Sequence, residues 1–487
     1  MIATLSFLNL VSILLSITFQ ILLIRVFGAG FETDVYYLSI SVVQFLPEMV
    51  HGFVTELYIP FYNDLKFKNK SLNKKFSTFI IIFMFIFSLI LFFPLIFFPS
   101  LFVKIFASGF SEDKILLTAK FLRILSFTLI FGMLLRVFSL TLNAENYFYL
   151  PTSISLISPT FNIFALLFFV KKYGIEAIMW SILFSSLISF IIIFLYFFKK
   201  IGFEKPDKKI LIYVFDLFKK NFVTRIGSNV WFLKEMVITN FLSYFPKGYI
   251  TLFKYSDRIL SFIFQIINSP IITIFYIKVT NFIPKKDFEE LKKNLNKYFN
   301  VNIILLLICA FPLITFFNPI FKILFGNRLK EEQILMMYKI FIFLLPFYFL
   351  YISSAFLISF VLALKKGAKI LEVNIIFILI FILNLIIFIK FLKVYALPIS
   401  LCFSMFYPIF SYYFFINKNL SIFENDLIKK LTKYLTIIFI IVLISIFKKN
   451  LILNYILPLI IFSIFFIFFK KEIFFSLKFI FQKGEIR

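Results

Sequence analysis

The chain has 487 residues, 62% of them hydrophobic and only 15% charged, a balance outside the range of soluble domains and suited to helices embedded in lipid. Its net charge of +27 invites a nucleic-acid reading, but the lysines sit in short connections between apolar runs, where they set membrane topology, so no nucleic-acid partner is expected. No Gly-rich phosphate loop, paired Cys-x-x-Cys, nucleophile elbow or Ser with a His partner occurs, which argues against an enzyme.

Apolar runs of about 20 residues, long enough to cross a bilayer, recur along the chain. They cover residues 2–24, 36–61, 76–103, 121–143, 151–170, 175–198, 223–245, 250–277, 298–325, 335–364, 370–392, 396–416, 433–447 and 451–469. The expected fold is therefore all-α and integral to the membrane, with 14 transmembrane helices. The first run lacks a basic n-region and a small-residue cleavage site, so it reads as a retained helix. Lys66, Lys68, Lys70, Lys74 and Lys75 follow the second span, seven lysines occupy 199–220 after the sixth, and six occupy 278–297 after the eighth. Connections after even-numbered spans carry the excess of Lys and Arg, which predicts a multi-pass protein with both termini cytoplasmic. Cys309 and Cys402 fall inside spans, and with His51 as the single histidine neither a disulfide framework nor a metal site is expected.

The chain repeats at a spacing of 218 to 219 residues. Phe97 to Phe106 and Ser111 to Leu116 align with Phe316 to Phe325 and Lys330 to Leu335, while Gly30, Thr33 and Tyr37 align with Gly248, Thr251 and Tyr255. Six spans separate each position from its copy, which predicts two parallel six-helix lobes plus two C-terminal helices. The expected divisions are an N-lobe at 1–200, a C-lobe at 201–416 with an amphipathic linker at 201–222, and a final pair of helices with a cytoplasmic tail at 417–487.

Ionisable groups deep in spans mark function, since each costs about 2.5 to 3.5 kcal/mol at the centre of a lipid-spanning helix. Span 2 carries Glu48, His51 and Glu56 on one face, with Pro47 and Gly52 favouring a bend. His51 is a candidate proton carrier, or a hydrogen-bonded structural histidine. Span 8 carries Lys254, Asp257, Arg258, Ser261, Gln265 and Asn268 at steps of three or four, the stripe of a cavity wall. The alternative is that Asp257 merely neutralises Lys254 or Arg258 near a membrane face. Ser228, Glu235 and Thr239 share a face of span 7; Glu235 with Asn374 of span 11 forms a candidate coupling-ion site, against simple pairing of Lys234 with Glu235. Arg123 and Arg136 of span 4 reach either the cavity or the membrane surface.

Further motifs carry a resemblance. Ile24-Arg25-Val26-Phe27-Gly28-Ala29-Gly30 with Thr33-Asp34, Ala107-Ser108-Gly109-Phe110, and Leu142-Asn143-Ala144 with Phe148, Pro151, Pro159 and Asn162 come first. Trp180, Lys200-Ile201-Gly202-Phe203 and Tyr255-Ser256-Asp257-Arg258 follow in order. The chain thereby resembles the MurJ/MviN lipid II flippases of the MATE-like (MOP) exporter superfamily. The resemblance implies a central cationic cavity, a groove for a lipid tail formed by the last two helices, and alternating access driven by Na+, H+ or membrane potential, with no cofactor. It implies a bacterial inner-membrane flippase for an undecaprenyl-pyrophosphate-linked saccharide, with Arg258, Arg25 and Asp34 at family positions and cell-wall synthesis enzymes as partners.

Two departures bear on the substrate. Where the family carries arginines in span 1, this chain reads Ser12-Ile13 and Ile17-Thr18-Phe19-Gln20; the span 2 arginine pair is replaced by Pro47-Glu48-Met49-Val50-His51. Another lipid-linked oligosaccharide, a cation-coupled exporter of small amphipathic compounds, and a non-transporting scaffold are the alternative readings.

Overall fold

A computed structural model describes residues 2–68, 70–364, 366–420 and 426–446, and the side chains of most of them; those of His51 and Glu56 lie outside the described set, as does the predicted span at 451–469. The described chain is helical and divides into two compact units, residues 1–251 and 252 onward.

The first unit begins with α1 (Ile2–Phe27), a mostly apolar helix that ends where Gly28 takes φ +70°. α2 (Phe31–Lys68) has Glu32 and Asp34 in its first turn, where carboxylates complement the helix dipole. α3 (Lys70–Phe97) gives way at Phe98 to a short α4 (Pro99–Phe106) that opens on a proline. α5 (Glu112–Ala144) is followed by α6 (Tyr149–Ile154), α7 (Ile157–Phe168), α8 (Val170–Tyr173) and α9 (Glu176–Lys200). α10 (Lys208–Val230) and α11 (Leu233–Ser243) complete the unit.

The second unit contains most of α12 (Tyr249–Lys285), then α13 (Phe288–Phe325), α14 (Glu331–Ala363), α15 (Gly367–Leu392), α16 (Ala396–Ser404), α17 (Phe406–Leu420) and α18 (Asp426–Ile446). Burial separates central from peripheral helices. Over its most apolar stretch α14 is 83% buried and α5 is 56% buried, against 17% for α1. A helix apolar all round and covered by neighbours is a bundle centre. In the first unit the core gathers around α5, where Met133, Val137 and Phe138 pack with Tyr58, Met84 and Phe197.

The repeat recurs at matching points of the two halves. α5 and α14 both have 33 residues, start 219 positions apart on paired acids (Glu112-Asp113 and Glu331-Glu332), and follow N-caps of the same geometry at Ser111 (φ −65°, ψ 158°) and Lys330 (φ −65°, ψ 152°). The break at Phe98 is matched by a kink inside α13 at Phe316 (φ −107°, ψ 24°). Gly174 at φ +58° is matched by Lys393 at φ +50°, so the second copy holds a lysine in a conformation that favours glycine.

Nine segments among the described residues are apolar and long enough to span a bilayer, which makes the chain a multi-pass membrane protein. That set does not include α2, part of whose side chains lie outside the described residues, and Gly367–Leu420 enters as one 54-residue segment. The predicted linker and span 7 fall differently from expectation: Asp207 accepts a hydrogen bond from the Ile210 amide and starts a helix that runs through to Val230, fusing linker and span before the chain breaks ahead of Leu233.

Candidate functional site

In the first unit α2 and α5 run side by side in the same direction, joined by side-chain pairs at successive depths. Lys114 meets Asp34, Arg136 meets Glu48, Tyr58 meets Thr141, and Tyr62 meets Glu145. The order along both chains is the same, so the two helices are parallel.

The first of these pairs is buried. Asp34 is 1% exposed and Lys114 6% exposed. Lys114 Nζ donates to Asp34 Oδ2 at 2.9 Å and lies 4.6 Å from the Phe110 ring centroid. The Gly248 amide donates to the same carboxylate at 2.7 Å, the Thr251 amide at 3.1 Å and the Thr251 hydroxyl at 2.8 Å. Asp34 thus caps the N-terminus of α12, where free amides and the helix dipole favour an anion. Thr33 and Thr251, equivalent positions of the repeat, have their hydroxyls 3.0 Å apart. The approach requires Gly248: φ is +95°, and a Cβ there would lie 2.7 Å from the Ala29 carbonyl oxygen. Nearby, Gly109 of Ala107-Ser108-Gly109-Phe110 sits against Tyr244, with its amide donating to the Ser243 hydroxyl at 2.9 Å, while the Ser108 and Tyr244 hydroxyls are 2.8 Å apart.

At the other end of the pair Glu145 collects the Tyr62 hydroxyl at 2.8 Å and Lys66 Nζ at 2.7 Å. Lys114, Glu145 and Lys66 were not among the predicted site residues. Lys114 alone had a local signal, a lysine two residues past an acidic helix start.

Arg25 lies in the last turn of α1 with an exposed side chain. Glu48 is half-buried and its Oε1 lies 3.4 Å from Arg136 Nη1. Arg123 is exposed, with Nε directed at the Ile96 carbonyl at 3.4 Å. His51 and Glu56 belong to α2, their side chains outside the described residues.

On α12 the expected stripe divides. Lys254, Asp257 and Ser261 are partly exposed, and Arg258 and Gln265 exposed. Asp257 accepts the Tyr348 hydroxyl at 2.8 Å, and the Arg258 guanidinium lies over the Phe262 ring at 5.4 Å. Asn268, expected on the same stripe, is buried and accepts the Asn302 amide at 2.5 Å, because one more turn carries it against α13. In the first unit Lys234 lies 3.5 Å from Glu235 and over the Trp231 ring at 4.8 Å, the pairing alternative rather than a carboxylate held apart. Thr239 is buried and bonds back to its own helix, and Asn374 is buried on α15. Among the described residues no group of three or more His, Cys, Asp or Glu gathers into a metal site.

Lipid-length helices that recur along the chain, with charges set inside them, define a multi-pass membrane protein, and solved structures of membrane transporters share its fold. "Lipid II flippase MurJ, inward closed conformation" superposes with a TM-score of 0.76 at 22% identity, covering 95% of this chain and 99% of that one. An inward-facing multidrug resistance MATE family transporter of the MOP superfamily gives 0.69 at 13% identity, covering 84% and 94%. The chain belongs to the MurJ family: the family model described as "Lipid II flippase MurJ" matches residues 23–467. The "Probable lipid II flippase MurJ" of Buchnera aphidicola subsp. Schizaphis graminum (strain Sg) is 26% identical over 337 residues, 66% of this chain. That match spans 64% of the relative's length, just under two thirds.

Proposed function

We propose that the chain is a flippase that moves an undecaprenyl-pyrophosphate-linked saccharide, lipid II for peptidoglycan synthesis, between leaflets of the bacterial inner membrane by alternating access. The family match over residues 23–467 carries the reading. The chemistry of α12 agrees with it: Arg258 lies about 14 Å into the helix at 1.5 Å per residue. There a guanidinium kept off the hydrocarbon grips a pyrophosphate with two parallel hydrogen bonds. Lys254 adds a point charge, and Asp257, tied to Tyr348, orients the neighbouring cations. Arg25, Glu48, His51, Glu56 and Gln265 complete the proposed polar path. Asp34, with Lys114 and the start of α12, acts as a closure at one end of the path that opens when the substrate leaves.

In this reading the nine apolar segments become fourteen spans. α2 and the α10–α11 pair are counted as well, Gly367–Leu420 crosses twice, and α18 and residues 451–469 supply the last two. Spans 1–6 and 7–12 form the two lobes, both termini are cytoplasmic, and Na+, H+ or the membrane potential drives the cycle. Cell-wall synthesis enzymes are the partners this substrate implies.

A cation-coupled exporter is the second reading, favoured by Glu48, a half-buried carboxylate inside a spanning helix. In a strain depleted of its own flippase, Arg258→Ala is expected to insert normally and to fail to restore leaflet transfer and growth. Full growth with Arg258→Ala removes that arginine from the mechanism.

A further inference from the structure

The buried pair of Asp34 with Lys114 has an outer neighbour within the first unit. Asn240, Ser243 and Tyr244, at the end of α11, lie on the turn between α4 and α5. The Asn240 amide donates to the Ile105 carbonyl and to the Ser108 hydroxyl, both at 3.0 Å. The Gly109 amide donates to the Ser243 hydroxyl at 2.9 Å, and the Ser108 and Tyr244 hydroxyls are 2.8 Å apart. Farther along, Lys247 lies over the Phe31 ring at 5.6 Å, and the next residue, Gly248, is the one whose amide reaches Asp34. On the opposite side Phe110, next to Gly109, has its ring under Lys114 Nζ. The contact therefore adjoins the supports of both partners of the ion pair.

Outer and inner contacts meet water differently. Ser108 and Lys247 are exposed, Tyr244 is 67% exposed and Asn240 half-buried. Water replaces a hydrogen bond between such groups at a cost of roughly two- to tenfold in equilibrium. Parting Lys114 from Asp34 without water leaves two buried charges uncompensated, which is far more costly. Water admitted beside them takes over part of that compensation.

The fit of the outer contact depends on Gly109. A Cβ there would lie 2.8 Å from the Tyr244 amide nitrogen and from its ring. The φ of Gly109 is outside the left-handed region, so the glycine serves the contact and not the backbone.

We propose that the end of α11 is an outer seal that keeps water from the Asp34–Lys114 pair, and that it lifts from Gly109 when the closure opens. The proposal rests on the alternating-access reading above. Ser108, Asn240 and Tyr244 supply bonds that water can replace, and Gly109 supplies the close fit that excludes it. α11 is an 11-residue helix with breaks before Leu233 and after Ser243, short enough to move as one piece.

The test uses the full chain in detergent with two readouts. The first is labelling of Leu242→Cys by a water-soluble maleimide, located by peptide mass spectrometry; Leu242, in the last turn of α11, is 1% exposed and reacts when the seal lifts. Gly109→Ala, which crowds only the docked arrangement, is expected to raise the labelling rate at least about tenfold. Tyr244→Phe is expected to raise it about two- to tenfold. Ser126→Cys, at a position 0% exposed on α5, should keep its rate in both backgrounds. The second readout is hydrogen exchange over residues 246–253, which contain the Gly248 and Thr251 amides bonded to Asp34; Gly109→Ala should speed it. Unchanged labelling of Leu242→Cys, an equal rise at Ser126→Cys, or faster labelling with no change in exchange overturns the proposal. Leaflet transfer in a flippase-depleted strain is the separate arm: an unaltered chain that fails to restore it contradicts the alternating-access reading and removes the cycle that the seal would serve.

Discussion

Asp34→Ala is the most informative single change in the first unit. The carboxylate is 1% exposed and receives four donors: Lys114 Nζ at 2.9 Å, the Gly248 and Thr251 amides at 2.7 and 3.1 Å, and the Thr251 hydroxyl at 2.8 Å. Truncation leaves an ammonium, itself 6% exposed, buried without its carboxylate, which costs about 3–5 kcal/mol. With roughly 2–4 °C per kcal/mol for a unit of this size, the apparent Tm of the detergent-solubilised chain should fall by about 10 °C. Lys114→Met alone should cost less, because the carboxylate keeps its two amides and a hydroxyl. Adding Lys114→Met to Asp34→Ala should recover stability, with a coupling of at least about 1.5 kcal/mol. Strict additivity of the two substitutions, or an Asp34→Ala cost under about 1 kcal/mol, would mean that the pair is not closed as described.

Gly248→Ala puts a Cβ 2.7 Å from the Ala29 carbonyl oxygen at φ +95°, so a loss of at least about 2 kcal/mol is expected. Gly30→Ala, where a Cβ meets nothing within 4 Å, should stay within about 0.5 kcal/mol by the same thermal assay; equal effects would refute the packing argument. Tyr348→Phe removes the hydroxyl that reaches Asp257 at 2.8 Å and should cost about 1 kcal/mol. If thermal stability does not move, that hydrogen bond does not position Asp257.

The helices and the repeat were legible because lipid imposes a length and a polarity on every span, and because equivalent turns need equivalent residues. Ser111 with Glu112-Asp113 and Lys330 with Glu331-Glu332 announce the same helix start 219 residues apart. Charge inside a span was legible as well, for the same reason of solvent. The partners of those charges were not. Lys114 is 80 residues from Asp34 and Arg136 is 88 from Glu48, and only the parallel packing of α2 on α5 brings them together. Glu145 looks like an ordinary loop acid until α2 delivers Tyr62 and Lys66 to it. Asn268 failed for a related reason: helical spacing keeps it near the stripe of Arg258, but α13 presents Asn302 at that turn and the side chain goes inward.

The flippase reading meets its most direct test in native mass spectrometry of the chain purified from bacterial membranes without added lipid. A bound polyprenyl-pyrophosphate saccharide, reduced in Arg258→Ala, is the expected result. Protein that carries no such lipid, and is instead stabilised by small amphipathic compounds in a cation-dependent way, would contradict the reading and point to an exporter.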